Sequence, residues 1–208
     1  MSARAAAVER RTAETGIRLA LHLDGAGEAD IHTGIGFFDH MLTLMTAHGM
    51  LDLALVCDGD IEVDGHHSVE DIGIALGDAF KKAIGDKKGI CRYGTFYLPM
   101  DEALAFVSLD ISGRPYLVYE NQGSPMAPMI GGFDTELVEE FLRAFAVHAG
   151  LTLHVRVLYG RNSHHMVEAI FKALGHALRI AVEHDPKVTG IPSTKGMLEN
   201  SDIFSPPH

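Results

Sequence analysis

Cysteine is scarce in this chain, which has only Cys57 and Cys91 among its 208 residues. The two thiols lack the C-x-x-C spacing of redox and zinc motifs, and both stand among apolar residues. This usage favours reduced thiols over a disulfide framework. We therefore expect a cytoplasmic protein in which both cysteines are packing residues.

Basic side chains and long apolar runs are also in short supply. The chain has 17 Lys and Arg against 28 Asp and Glu, a formal charge of -11, and no basic cluster offsets the repulsion of a phosphate backbone. No run of about 18 apolar residues occurs, and no apolar segment follows the basic start of the chain. We therefore expect no nucleic-acid partner, no membrane span and no secretion signal.

Histidine, by contrast, is abundant, with 13 in the chain and several in adjacent pairs. Because histidine is the side chain most used to ligate transition metals, this excess indicates a metal site. The 47% hydrophobic content is enough to bury a core, as one domain or as two small fused ones.

The chain contains an internal repeat. The apolar positions of residues 39–48 coincide with those of residues 139–148, and an alternating apolar stretch and a second helical segment follow each copy. Periods of 2 and 3.6 residues predict a strand-helix-strand-helix order in each half, with a Gly/Pro-rich insertion at 121–128 in the second half alone. The sequence thus predicts one compact duplicated domain.

The second helical segment of each half opens with a His-His-x-x-Glu motif, at 66–70 and at 164–168. Residues four apart share a helix face, so the pairs His66–Glu70 and His164–Glu168 can each supply two ligands to an ion. The doubled motif offers His66 and His164 to one ion, and His67 and His165 to another. Imidazole and carboxylate ligands favour manganese, iron or zinc, and the pattern does not choose among them.

A single histidine at a helix start is often only a cap or a surface residue. Recurrence at equivalent repeat positions makes that interpretation improbable for these pairs. His40 and His48 are eight residues apart and share one helix face. On spacing alone, His40 can reach a metal, while His48 is either a site residue or a satisfied core histidine.

Five motifs together resemble those of the imidazoleglycerol-phosphate dehydratase family, and the match runs from Arg11 to Gly196. They are Gly-Phe-Phe-Asp-His-Met-Leu at 36–42, Gly-His-His-Ser-Val-Glu-Asp at 65–71, Ser-Gly-Arg-Pro-Tyr at 112–116, Asn-Ser-His-His at 162–165 and Pro-Ser-Thr-Lys-Gly at 192–196. The resemblance implies an α+β fold of the ribosomal protein S5 domain 2-like type. Each half would be a four-stranded sheet with two α-helices, over 8–93 and 94–196, followed by a loose tail at 197–208.

The resemblance also implies the site residues and the assembly. Two manganese ions per subunit are expected, one held by His66, Glu70, His164 and Glu168, the other by His40, His67, His165 and the residue at position 140. That position is commonly histidine in the family but is Glu140 here, which the internal repeat aligns with His40. Trimers are expected to assemble into a 24-subunit shell with active sites at subunit contacts.

Catalytic roles are implied for Glu14, an acid/base residue arriving from a neighbouring subunit, and for Glu168. The expected substrate-binding residues are Glu14, His48, Arg92, Arg114, Lys172, Ser193, Thr194 and Lys195. Without the resemblance, most of these would be read as exposed charges.

The expected reaction is that of a hydro-lyase in histidine biosynthesis. It converts D-erythro-imidazole glycerol phosphate into imidazole acetol phosphate through a manganese-bound imidazolate, since the ring must supply the electrons that expel hydroxide. Two alternatives are a metal-dependent phosphate-ester hydrolase and a non-catalytic metal-storage shell. The phosphate-binding residues argue against storage, and only hydrolysis would release inorganic phosphate.

Overall fold

The structure, a computed structural model, describes residues 4–121, 123–194 and 198. Its strands are β1 (Ala5–Arg11), β2 (Thr15–His22), β3 (Ala29–His32), β4 (Asp52–Gly59), β5 (Tyr93–Met100), β6 (Ala103–Asp110), β7 (Tyr116–Glu120), β8 (Met129–Ile130), β9 (Phe133–Asp134) and β10 (Thr152–Tyr159). Its helices are α1 (Gly36–Gly49), α2 (His66–Ile84), α3 (Leu137–Ala149) and α4 (Ser163–Val182). Lys195 and all of the predicted tail except Leu198 lie outside the described residues.

The strands form two four-stranded sheets with the same topology. The first has the order β1-β2-β4-β3 and the second the order β5-β6-β10-β7. In each sheet, only the pairing of the last two strands is parallel. Each sheet lies in one half of the chain together with two helices, so the expected α+β duplicated fold is confirmed.

The strand-helix-strand-helix order predicted for each half was incomplete, because each four-stranded sheet has two further strands. The first strand of each half pairs antiparallel with the second, and a short third strand pairs with the fourth. The short β3 has only four residues, three of them exposed, so it carries too little alternation to be read from the sequence. The insertion after residue 121 leads into the small β8–β9 hairpin.

The helices pack across the two halves. Helix α1 lies against α4, and α2 lies against α3. Phenylalanine rings from three of these helices meet, with Phe141 centred 5.3 Å from Phe38 and 5.4 Å from Phe171. The buried apolar side chains of both halves therefore form one continuous cluster.

Both cysteines are free, and Cys57 is buried. Among the described residues, no helix combines the length and the apolar character that crossing a bilayer requires.

Glycines allow the crossed helices to approach closely. A Cβ atom at Gly175 of α4 would overlap the carbonyl oxygen of Met45 in α1 and would lie 2.9 Å from the amide nitrogen of Gly49. The clash is with backbone, which a helix cannot move cheaply. The α1–α4 contact thus depends on the missing side chain at position 175.

We expect Gly175→Ala to lower the free energy of unfolding by about 1–3 kcal/mol, because overpacking outweighs the gain in helix propensity. The variant should lower Tm by at least roughly 2 °C in thermal unfolding followed by circular dichroism. Gly132→Ala is the matched control, since a Cβ atom there meets nothing within 4 Å. Equal Tm values for the two variants would contradict the close-packing explanation.

Candidate active site

The two His-His pairs lie in the first turns of α2 and α4, and the amide of each first histidine bonds to a side chain two residues earlier. The Asp64 carboxylate accepts a hydrogen bond from the His66 amide at 2.7 Å, and the Asn162 side chain accepts one from the His164 amide at 3.0 Å. These bonds satisfy amides that have no partner within the helix. This bond recurs in both halves, although α2 begins at the first histidine of its pair and α4 begins one residue before it.

Crossing of α1 and α4 brings three potential ligands together. His40 Nε2 lies 2.8 Å and His164 Nε2 3.1 Å from the same oxygen, Oε1 of Glu168. Within the described part of the chain, this is the group whose ligand atoms all lie within 4.8 Å of one another. Two imidazoles and a carboxylate suit a borderline-hard divalent cation. The donor set therefore fits a metal ion.

Glu168 is buried, and Lys172 occupies its other oxygen. The Lys172 ammonium donates a hydrogen bond of 2.7 Å to Oε2. Burial by itself raises the pKa of Glu168, but the hydrogen bonds from Lys172, His40 and His164 outweigh it and lower the pKa to about 2. The site thus holds an ionised carboxylate, as ligation of a cation requires.

The side chains of the remaining predicted ligands contact other residues instead of joining this group. His66 Nε2 is 4.0 Å from Glu70, and His67 Nδ1 is 3.0 Å from Asp60. His165 Nδ1 is 2.8 Å from Glu102. The single chain therefore does not gather either of the expected four-residue ligand sets.

Glu140 occupies the position in α3 that His40 occupies in α1. Its carboxylate accepts a hydrogen bond of 2.6 Å from Arg143, which also contacts Glu139 at 3.2 Å. Glu140 and His66 line the same cleft at the starts of α2 and α3, which has a volume of about 580 Å³. The repeat thus places one set of predicted ligands on α1 and α4 and the other on α2 and α3.

Two of the predicted phosphate-binding residues, Arg92 and Arg114, lie near Asp110. The buried Arg92 guanidinium forms two hydrogen bonds with Asp110 and donates a third, of 2.7 Å, to the carbonyl of Pro192. Arg114 is exposed and lies 3.9 Å from Asp110. The bond to Pro192 places Ser193 and Thr194 beside this group.

This group of cationic residues lies at the far end of α4 from the metal-ligand group. The Arg92 amide bonds the carbonyl of Ala181 near the C-terminus of the helix, whereas Glu168 is in its first turns. A rise of 1.5 Å per residue puts about 20 Å along α4 between Glu168 and Ala181. The two groups therefore lie toward opposite ends of this helix.

His48 and Glu14 have partners that spacing did not indicate. His48 Nδ1 lies 3.2 Å from His176 Nε2, and the His176 ring stacks on Phe96 with centroids 4.1 Å apart. Burial lowers the pKa of both histidines, so the pair favours neutral rings. The exposed Glu14 carboxylate is 3.8 Å from His67 Nδ1 of the same chain.

Sequence reasoning did not identify Glu102, Asp60 or His176. Glu102 had a usable signal, because the repeat aligns it with Glu14 at the turn before the second strand of each half. Asp60 and His176 had none, since their partners come from other elements.

A duplicated α+β chain whose helices α1 and α4 bring two imidazoles and a carboxylate together is a protein with a candidate metal site. The family model described as imidazoleglycerol-phosphate dehydratase matches residues 33–178. This chain belongs to the imidazoleglycerol-phosphate dehydratase family.

Curated relatives and solved structures agree with this assignment. The imidazoleglycerol-phosphate dehydratase of Clostridium botulinum is 62% identical over 193 residues, which cover 93% of this chain and 97% of the relative. The enzyme from Caldanaerobacter subterraneus is 60% identical over 196 residues, covering 94% of this chain and all of the relative. The crystal structure of the Staphylococcus aureus enzyme matches with a TM-score of 0.78 and 45% identity, covering 87% of this chain and 99% of that one. The chain is accordingly a hydro-lyase.

We predict a specific pH dependence for the metal-free protein. Since the pKa of Glu168 falls from 4.5 to about 2 on folding, its ionised form stabilises the folded state above pH 4.5. This stabilisation, on the order of 3 kcal/mol, should disappear as the pH falls from 4.5 toward 2. Urea unfolding of the wild type and Glu168→Gln in a chelator should therefore differ most above pH 5. A difference that does not change with pH would contradict the assigned ionisation.

Proposed function

We propose that this chain dehydrates D-erythro-imidazole glycerol phosphate to imidazole acetol phosphate in histidine biosynthesis. The observation that carries the proposal is the grouping of His40, His164 and Glu168 in a chain 62% identical to a named dehydratase of this substrate class. The reaction must remove hydroxide from one carbon and a proton from its neighbour, and neither carbon bears a carbonyl group. It therefore needs a site that stabilises negative charge on the imidazole ring.

The proposed cofactor is manganese, with two ions per subunit. We assign one ion to His66, Glu70, His164 and Glu168, and the other to His40, His67, His165 and Glu140. When bound at the two nitrogens of the substrate ring, such cations would supply Lewis-acid stabilisation of the charge that develops there. The mixed imidazole and carboxylate donors support this choice without excluding iron or zinc.

A second copy of the chain would complete the site. Each proposed ion takes two ligands from the α1–α4 group and two from the α2–α3 group, which a single chain keeps apart. The distance of about 20 Å along α4 from Glu168 to Ala181, which the Arg92 amide bonds, supports the same arrangement because it is long for a small substrate. These distances support a homo-oligomer with active sites at subunit contacts, for which the trimer-based 24-mer is our proposal.

We assign proton transfer at the middle carbon to Glu14. Its turn is held by the Thr12 hydroxyl, which accepts hydrogen bonds from the amides of Glu14 and Thr15 at 3.2 and 2.9 Å. The Thr15 hydroxyl in turn donates to Asp71 of α2. Glu14 thus projects an exposed carboxylate from a fixed backbone. This suits a base that has to meet a substrate bound partly by another subunit.

The phosphate group of the substrate is assigned to Arg92, Arg114, Ser193, Thr194 and Lys195. Arg114 has the more accessible guanidinium, while Arg92 bonds the carbonyl of Pro192, directly before Ser193 and Thr194. Near the reacting carbons, Lys172 and His48 are assigned to the substrate. Lys172 would leave Glu168 Oε1 free for a cation because its own bond is to Oε2.

The product distinguishes this function from its alternatives. Purified protein incubated with imidazole glycerol phosphate and manganese should form a ketone that retains its phosphate and should release no inorganic phosphate. A chelator should abolish the reaction, and elemental analysis should find about two ions per chain. Release of phosphate would indicate the hydrolase, and bound metal with no turnover would indicate the storage shell.

The ligand role of Glu140 can be separated from its pairing with Arg143. We expect Glu140→Ala to weaken the affinity for one of the two manganese ions roughly tenfold or more, and Glu140→His to retain two ions, because histidine restores the common ligand. Titration followed by manganese EPR measures both affinities.

Glu139→Ala is the matched control for this experiment, since Glu139 also pairs with Arg143 from the same helix turn. It should bind both ions as the wild type does. Manganese binding that is the same in wild type, Glu140→Ala and Glu140→His would show that Glu140 is not a ligand.

A further inference from the structure

Glu102 is the repeat counterpart of Glu14, yet its surroundings differ. Each glutamate immediately precedes the second strand of its half, Glu14 before Thr15 in β2 and Glu102 before Ala103 in β6. The Glu14 side chain is about half exposed, at 52%, whereas that of Glu102 is 25% exposed. Duplication has therefore produced one open and one enclosed carboxylate.

Both oxygens of Glu102 have fixed partners. Oε1 accepts hydrogen bonds from the backbone amides of Arg161 and Asn162 at 3.1 and 2.7 Å. Oε2 lies 2.8 Å from Nδ1 of His165. Asp101 is also near this nitrogen, but at 3.9 Å it is too far away for a hydrogen bond. Glu102 thus connects the turn before α4 to one particular ring nitrogen.

We propose that Glu102 is a positioning residue that sets the tautomer and the orientation of His165. Its carboxylate can only accept at Nδ1, so the imidazole proton resides there and Nε2 keeps its lone pair. The Asn162 side-chain nitrogen lies 3.5 Å from Nε2, a long contact that a divalent cation would replace. The inference rests on the proposed function, in which His165 is a metal ligand.

In the first half of the chain, a different residue contacts Nδ1 of the corresponding histidine. His67 Nδ1 lies 3.0 Å from Asp60, which directly follows β4. The equivalent residue after β10 is Gly160, where a Cβ atom would lie 2.5 Å from the Met166 side chain. A side chain at that position would require the buried Met166 side chain to shift.

Glu102 therefore does for His165 what Asp60 does for His67. In the first half, Asp60 leaves Glu14 without a positioning task, and Glu14 is the residue assigned to proton transfer. Asp60 and Glu102 thus each orient a histidine, and Glu14 is left for proton transfer.

The Glu102→Gln variant distinguishes the orientation of His165 from support of the turn before α4. The amide oxygen of glutamine can still accept from the Arg161 and Asn162 amides, which leaves its NH₂ group facing His165 Nδ1. Nδ1 must then accept, so the proton moves to Nε2 and blocks it as a ligand. We expect the Tm of the metal-free variant to match that of the wild type, while the affinity for one of two manganese ions falls about 10- to 100-fold.

Manganese EPR titrations of the assembled wild type, Glu102→Gln and His165→Ala test this without relying on turnover. Glu28→Gln, an exposed glutamate ahead of β3, serves as the control and should bind both ions as the wild type does. Weakened binding of one ion in both Glu102→Gln and His165→Ala, with an unchanged metal-free Tm for Glu102→Gln, is the expected result.

Other outcomes would overturn one or both assignments. If His165→Ala loses an ion and Glu102→Gln binds both normally, the positioning role is wrong and the ligand role of His165 stands. If His165→Ala binds both ions normally, the ligand assignment fails, and the positioning role fails with it. A large drop in the metal-free Tm of Glu102→Gln would instead show that Glu102 supports the turn.

Discussion

The packing of α1 against α4 is the contact on which the candidate site depends. His40 and Glu168 are 128 residues apart in the chain, and they meet because these helices cross at close range. Close range requires a residue without a side chain at position 175, where α4 passes the backbone of α1. The apolar core and the candidate metal centre are thus consequences of one helix crossing.

Burial of Glu168 adds an electrostatic constraint. An ionised carboxylate removed from water is costly unless several donors surround it. The structure supplies an ammonium group on one oxygen and two imidazoles on the other. This arrangement keeps a charged ligand in place before any cation arrives, so the site is organised in advance.

The two halves share a backbone arrangement but differ in the side chains that it carries. Sheet order and helix positions correspond between the halves. At aligned positions, however, the first half has His40 and Asp60 where the second half has Glu140 and Gly160. In the same way, His48 faces His176, whereas its counterpart His148 faces Asp78 at 2.9 Å. A repeat with identical halves would offer two equal groups, while this one offers two different groups that can complement each other across subunits.

The sequence by itself determined the duplicated α+β architecture, the helix starts with their His-His pairs, and the family. The helix starts follow from local periodicity and the internal repeat, while the α+β architecture and the family follow from contiguous motifs, all of which are read along the chain. The short third strands and the contacts of Asp60, Glu102 and His176 were decided by the tertiary structure. The tertiary structure also decided the grouping of His40 with His164 and Glu168, and the position of Arg92 away from that group. The reason is physical: hydrogen bonds and ion pairs between distant residues depend on helix crossing and strand register, which spacing along the chain does not encode.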